Sequence, residues 1–187
     1  MSTIAPQPFT TRDGRAVTIR SAQLDDAQAC IDYVHALVPE SDYLGLMPGD
    51  FKNTLEEEQA WIQKHLDNPA SFALLATHDD QIIGMLDLRR PDRVRTRHAC
   101  SFGVSLRAAW RGQGLGTAMM KTMLDWARKS SHIDVIWLGV YATHTRAIAL
   151  YERLGFQHYG VHPRCFKLDD GSYVDESVMA QFVSDER

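Results

Sequence analysis

The chain has 187 residues, enough for one domain that buries its own core without disulfides or metal. With 44% hydrophobic residues, 24% charged residues and a formal net charge of -4, it has the composition of a soluble globular domain, not of a nucleic-acid or membrane-binding surface. The expected partner is a small molecule. Cys30, Cys100 and Cys165 are widely spaced with no CxxC pair, which fits a reducing compartment better than a disulfide framework. No stretch has the apolar length of a signal peptide core or a membrane span, so a cytoplasmic location is expected.

Residues 1–14 read as a flexible lead-in and residues 15–187 as a single domain. "RAVTIR" (15–20) alternates like a half-buried strand, and Ala27, Cys30, Ile31, Val34, Leu37 and Val38 then recur at helical spacing. A Pro-, Gly- and Asp-rich loop follows, carrying Tyr43, Leu44, Leu46 and Met47. Thr54 and Glu57 have capping-box spacing and predict a second helix with Leu55, Ile62 and Leu66 on one face. "SFALLAT" and "QIIGMLDLR" flank the turn "HDD" as a hairpin, and "RHACSFGVSL" (97–106) is the next strand. After it come a glycine-rich turn and an amphipathic helix with Leu115, Ala118, Met119, Thr122, Met123 and Trp126 on its apolar face. "DVIWLGV" reads as a strand covered on both faces, and "RAIALYERLGF" as a helix closed by Gly155. "HPRCFKL" and "YVDESVMAQFV", joined by "DDGS", predict a closing hairpin.

The turn "AWRGQGLGTAMM" (109–120) carries the most chemistry. Glycines at 112, 114 and 116 let the backbone approach a bulky diphosphate, and a helix that starts there points unpaired N–H groups at it. Arg111 adds charge beside them. A glycine turn that merely lets strand and helix pack closely is the alternative. Gly116 is followed by Thr117 and Ala118, so the lysine of a P-loop is missing. Position 117 is not the third glycine of a dinucleotide fingerprint, and the turn follows a late strand, not the first.

Together, "VSLRAAWRGQGLGTAMMKTMLDWA" and "VYATHTRAIALYERLGF" resemble the GCN5-related N-acetyltransferase (GNAT) superfamily, whose Arg/Gln-x-x-Gly-x-Gly/Ala signature falls on Arg111, Gly114 and Gly116. The similarity runs from "VTIRSAQLDDA" to "GSYVDESVMA", nearly the whole chain. It implies an α/β fold, a mixed and strongly twisted sheet with helices on both faces, in which the strands before and after the glycine helix splay apart. Acetyl-CoA, the implied acetyl donor, would lie in that gap. Val104 and Leu106 would pair with its pantetheine arm, and the segment Gly112, Gln113, Gly114, Leu115, Gly116 and Thr117 would hold its pyrophosphate. His144 stands where relatives often carry an asparagine that contacts the cofactor. Relatives often place a glutamate near Ser101, and this chain has none there.

A primary alkyl amine has a pKa of about 10.4 and arrives protonated, so a base must take its proton. His98 is the titratable group nearest in sequence to the pocket strand, with Glu40, Asp42, Asp87 or water as alternatives; a solvated side chain is the bland reading of each. Tyr151 matches the family tyrosine near the cofactor sulfur and is the expected acid for the leaving thiolate. Leu106 N–H is the expected oxyanion donor. Glu40, Tyr43 and Asp87 are the candidate acceptor contacts, and Phe51 and Trp61 could join an aromatic lining. The arginines between 89 and 97 read as a solvated loop. His158 and His162 have HxxxH spacing, but no third ligand is evident, so no metal site is expected.

The implied activity is acetyl transfer to the primary amine of a small molecule, an amino acid or a related amine. The competing readings are acetylation of a protein or peptide and a non-catalytic acetyl-CoA sensor. A homodimer through "SVMAQFV" is one option for the C-terminal strand, an internal position the other.

Overall fold

Eight strands form one sheet, described in a computed structural model over residues 3–184. The first two and last three residues of the expected lead-in and domain lie outside the described residues. The strands are β1 (Gln7–Thr10), β2 (Ala16–Ser21), β3 (Phe72–His78), β4 (Gln81–Arg89), β5 (Ala99–Leu106), β6 (Val135–Tyr141), β7 (Gln157–Lys167) and β8 (Tyr173–Phe182). Their spatial order is β1-β2-β3-β4-β5-β6-β8-β7, and β5 with β6 is the parallel pair of an otherwise antiparallel sheet. The lead-in therefore needs correcting: residues 7–10 pair with β2 and extend the sheet.

The helices are α1 (Ala27–Leu37), α2 (Leu55–Asp67), α3 (Leu115–Lys129) and α4 (Thr145–Arg153). Thr54 and Glu57 form the expected reciprocal cap on α2, with bonds of 3.2 and 2.8 Å. Its buried stripe, however, is Glu58, Ile62 and His65, while Leu55 is exposed. Cys30, Tyr33 and Ile62 from α1 and α2 pack on Ala73, Leu75 and Ile82 of one sheet face. On the other face α3 buries Leu115, Met119, Met120, Met123 and Leu124 against β4, β5 and β6, beside Tyr151 and Phe156.

The β3–β4 turn places Asp79 and Asp80 at φ 47° and 61°, the doubly left-handed geometry of a tight hairpin turn. β6 differs from expectation. Ile136, Leu138 and Val140 are buried, but Trp137 is 42% exposed and Gly139 faces outward, so the core covers one face of the strand. β8 is bonded by β6 on one side and β7 on the other, so "SVMAQFV" is internal and offers no free edge to a second chain.

The parallel pairing of β5 and β6 ends early. Ala99, Cys100 and Ser101 meet Val135, Ile136 and Trp137, after which the two strands no longer pair. The sheet thus opens into a V exactly where β5 runs toward the glycine turn.

Candidate active site

One cleft of about 950 Å³ fills that V. Phe102–Leu106 of β5 form one wall and Leu138–Tyr141 of β6 the other. Arg107 N–H donates to Ile83 C=O at 3.0 Å, which fixes the phase of the β4–β5 ladder. Because antiparallel bonding alternates, the N–H and C=O groups of Val104 and Leu106 then face away from β4 and into the cleft. Leu106 C=O accepts from Arg111 Nε at 3.0 Å.

At the open end, just beyond the last residue of β5, lies the glycine turn. Gly112 and Gly114 adopt φ of 81° and 89°, a region side chains resist. A Cβ on Gly112 would meet Arg146 Nη2 at 2.9 Å. Gly114 is the N-cap of α3, and the first helical bond there is Ala118 N–H to Gly114 C=O at 3.1 Å. The amides of Leu115, Gly116 and Thr117 precede it and have no acceptor within the helix. Gly112, Gly114, Gly116, Thr117 and Arg111 all line the cleft. Leu115 instead buries its side chain in the core, and the Gln113 carbonyl receives the Arg12 N–H at 3.2 Å. Bare backbone, unpaired amides and arginine side chains fit a diphosphate, so the residues present suit acetyl-CoA.

Tyr151 and His144 line the same cleft. Tyr151 packs edge-on against Phe102, and burial pushes its phenol up to about 12. His144 stacks on Tyr43 with ring centroids 3.9 Å apart, and burial, then Arg111 and Arg146, hold its pKa below the usual value. Tyr141 completes an aromatic wall, stacked on Phe166 at 3.6 Å and edge-on to Tyr43.

Asp87 also reaches the cleft, from β4 opposite Gly103. Its carboxylate occupies the space a side chain at 103 would need, since a Cβ there would sit 2.9 Å from Oδ1. Arg89 Nε lies 3.0 Å from Asp87. Burial raises the Asp87 pKa against the opposing pull of Arg89 and His65.

Several predicted residues fall elsewhere. His98 is exposed, precedes β5 at the end where β5 and β6 still pair, and is not part of the cleft. Its nearness to the strand in sequence says nothing about which end of the strand holds the chemistry. Glu40 is occupied: its carboxylate accepts from Arg107 at 2.7 and 3.0 Å and from Ala108 N–H at 2.7 Å. The Arg107 bonds hold its pKa below the usual value. Phe51 packs on His35 and Trp61 on His65, away from the lining. Sequence reasoning passed over Arg12, Arg146, Tyr141 and Phe166, which do line the cleft. The position of Arg146 in the first turn of α4, facing the glycine turn, was the one available signal.

A V-shaped opening beside a glycine turn that caps a helix defines the donor site of acetyl-CoA-dependent acyltransferases. The acetyltransferase (GNAT) family model matches residues 40–156, and the chain belongs to that family, whose enzymes take their acetyl group from acetyl-CoA. The L-amino acid N-acetyltransferase AaaT of Escherichia coli K12 is 28% identical over 88% of this chain and 97% of its own length. The ribosomal protein bS18-alanine N-acetyltransferase of the same organism is 33% identical over 46% of this chain and 57% of its own. Among solved structures, a GNAT acetyltransferase from Streptococcus pneumoniae superposes with a TM-score of 0.86, at 23% identity over 89% and 99% of the two chains. YncA of Salmonella typhimurium, solved with acetyl-CoA, gives 0.78 at 20% identity over 91% and 95%. The last two likenesses establish the fold. Among the described residues no helix is long and apolar enough to cross a membrane.

Proposed function

We propose that the chain acetylates the amine of a free amino acid or a closely related small molecule. One observation carries this reading: the acceptor end of the cleft is roofed. The Tyr141 hydroxyl donates to Leu44 C=O at 3.3 Å while Tyr43 stacks on His144, so the 41–47 loop is pinned across the opening. A peptide would need that loop displaced. The near full-length similarity to an L-amino acid acetyltransferase supports the same class.

Acetyl-CoA, when bound, supplies a thioester whose carbonyl carbon the amine attacks. The amides of residues 112–117, with Arg111, Arg12 and Arg146, would hold its diphosphate, and the cleft-facing backbone groups of Val104 and Leu106 would hold its pantetheine arm. Leu106 N–H, fixed by the β4–β5 ladder, is directed to where negative charge develops on the carbonyl oxygen. Asp87 takes the ammonium proton, directly or through one water. A buried carboxylate with a raised pKa is a better proton acceptor than an exposed one. Tyr151 remains protonated at neutral pH and gives its proton to the departing sulfur.

The test is thiol release from acetyl-CoA across L-amino acids, polyamines, aminoglycosides, phosphinothricin-like amines and peptides, with the acetylated product identified by mass. Turnover on free amino acids or small amines is the expected result. Turnover confined to peptides, or thermal stabilisation by acetyl-CoA with no turnover on anything offered, overturns it.

A further inference from the structure

Outside the cleft, β7 and β8 bring three soft and hard donors together. One ligand atom each from His162, Cys165 and Glu176 lies within 4.8 Å of the other two, and His162 Nδ1 is 3.7 Å from Glu176 Oε2. The sequence offered His158 as the companion of His162, but the structure engages His158 with Ser177 Oγ at 2.8 Å and Glu152 at 3.2 Å instead.

The grouping is a product of backbone irregularity. His162 pairs directly with Glu176, so the two share a face of the sheet. Cys165 is three positions on and would point to the opposite face of a regular strand. The β7 register breaks between His162 and Phe166, with Arg164 at φ 52° and its N–H bonded to Asp175 Oδ1 at 2.7 Å. That bulge turns Cys165 back toward Glu176. Gly139 on β6 is the third contributor: a Cβ there would collide with the Glu176 carboxylate, so the missing side chain makes its seat.

We propose that His162, Cys165 and Glu176 form a binding site for a zinc-type divalent cation. An imidazole nitrogen, a thiolate and a carboxylate are the donor types zinc takes, and three protein ligands leave the fourth tetrahedral position to water. Binding deprotonates the Cys165 thiol, releasing that proton to solvent as the metal–sulfur bond forms. The metal would tie β7 to β8 beside Tyr141, which pairs with Glu176 across β6 and β8.

Thiol chemistry makes this testable in the intact protein. Cys30 and Cys100 are fully buried and Cys165 is part-exposed, so a thiol reagent added to the native enzyme reports on Cys165. One equivalent of Zn²⁺ should slow that modification by about tenfold or more, with release of about one proton, and Co²⁺ should produce a thiolate charge-transfer band. His162→Gln and Cys165→Ser should each abolish the metal effects while circular dichroism stays unchanged. Two results overturn the site: modification of the native enzyme that is indifferent to Zn²⁺, or Zn²⁺ binding that survives in the His162→Gln/Cys165→Ser double variant.

Discussion

The two halves of the cleft are built on different principles. The donor half is backbone: bare glycines, helix-terminal amides and the inward-facing peptide groups of Val104 and Leu106. The acceptor half is side chains: Tyr43, Asp87, Tyr141 and Phe166, drawn from a loop and three strands far apart in the chain. A backbone site is generic, because any sequence with the same turn makes the same amides available. A side-chain site is particular to its residues. Substitutions should therefore affect the donor half through shape and the acceptor half through chemistry.

The largest expected effect tests the acceptor half. Asp87→Asn keeps the packing against Gly103 and removes the base, so kcat should fall by about 10²–10⁴ with the KM for acetyl-CoA little changed. The same residue sets a pH signature. Its carboxyl is displaced above the ordinary value of 3.8 by burial, and the base works deprotonated. In the parent enzyme kcat/KM should therefore rise with pH through that displaced pKa, and the Asn variant should lack that acidic limb.

Gly114→Val tests the donor half. It forces a β-branched residue to φ 89°, so the KM for acetyl-CoA should rise by about tenfold to a hundredfold and stabilisation by acetyl-CoA should shrink in parallel. An unchanged KM would break the contrast between the halves.

Tyr151→Phe sits between the two, removing a proton donor while keeping the ring that lines the cleft. A fall of about tenfold in kcat with acetyl-CoA binding retained is the expected outcome of steady-state and thermal-shift assays.

The smallest effect concerns neither half directly. Glu40→Gln loses the charge-assisted hold on Arg107 and should cost about 1 kcal/mol, or about 2–4 °C in melting temperature. Glu40 has a folded pKa below its ordinary 4.5, so its contribution is present above pH 4.5 and fades as pH falls through the folded value. Melting curves of the parent and variant should converge in acid.

The contrast also explains what could be read from residues alone. The glycine turn, its helix, the capping box at Thr54 and the β3–β4 hairpin are local, with their causes within a few positions of one another. The acceptor wall is not. Gly139 and Trp137 look like parts of one apolar run, yet they form the outward face of β6, and only the β8 pairing shows that Gly139 is bare to seat Glu176. Residue chemistry and sequence position point to His98 and Glu40, but they do not record which end of β5 opens or which carboxylate is already bonded. The His162–Cys165–Glu176 grouping depends on a bulge that no local spacing announces.

The Arg111 guanidinium bonds the carbonyl of Leu106 at the end of β5 and the carbonyl of Glu40 at the root of the roofing loop, both at 3.0 Å. One rigid fork thus spans the cradle for one substrate and the hinge of the cover over the other. Anyone redesigning the loop to admit a larger amine will also be retuning the grip on the donor, and the two specificities will have to be selected together.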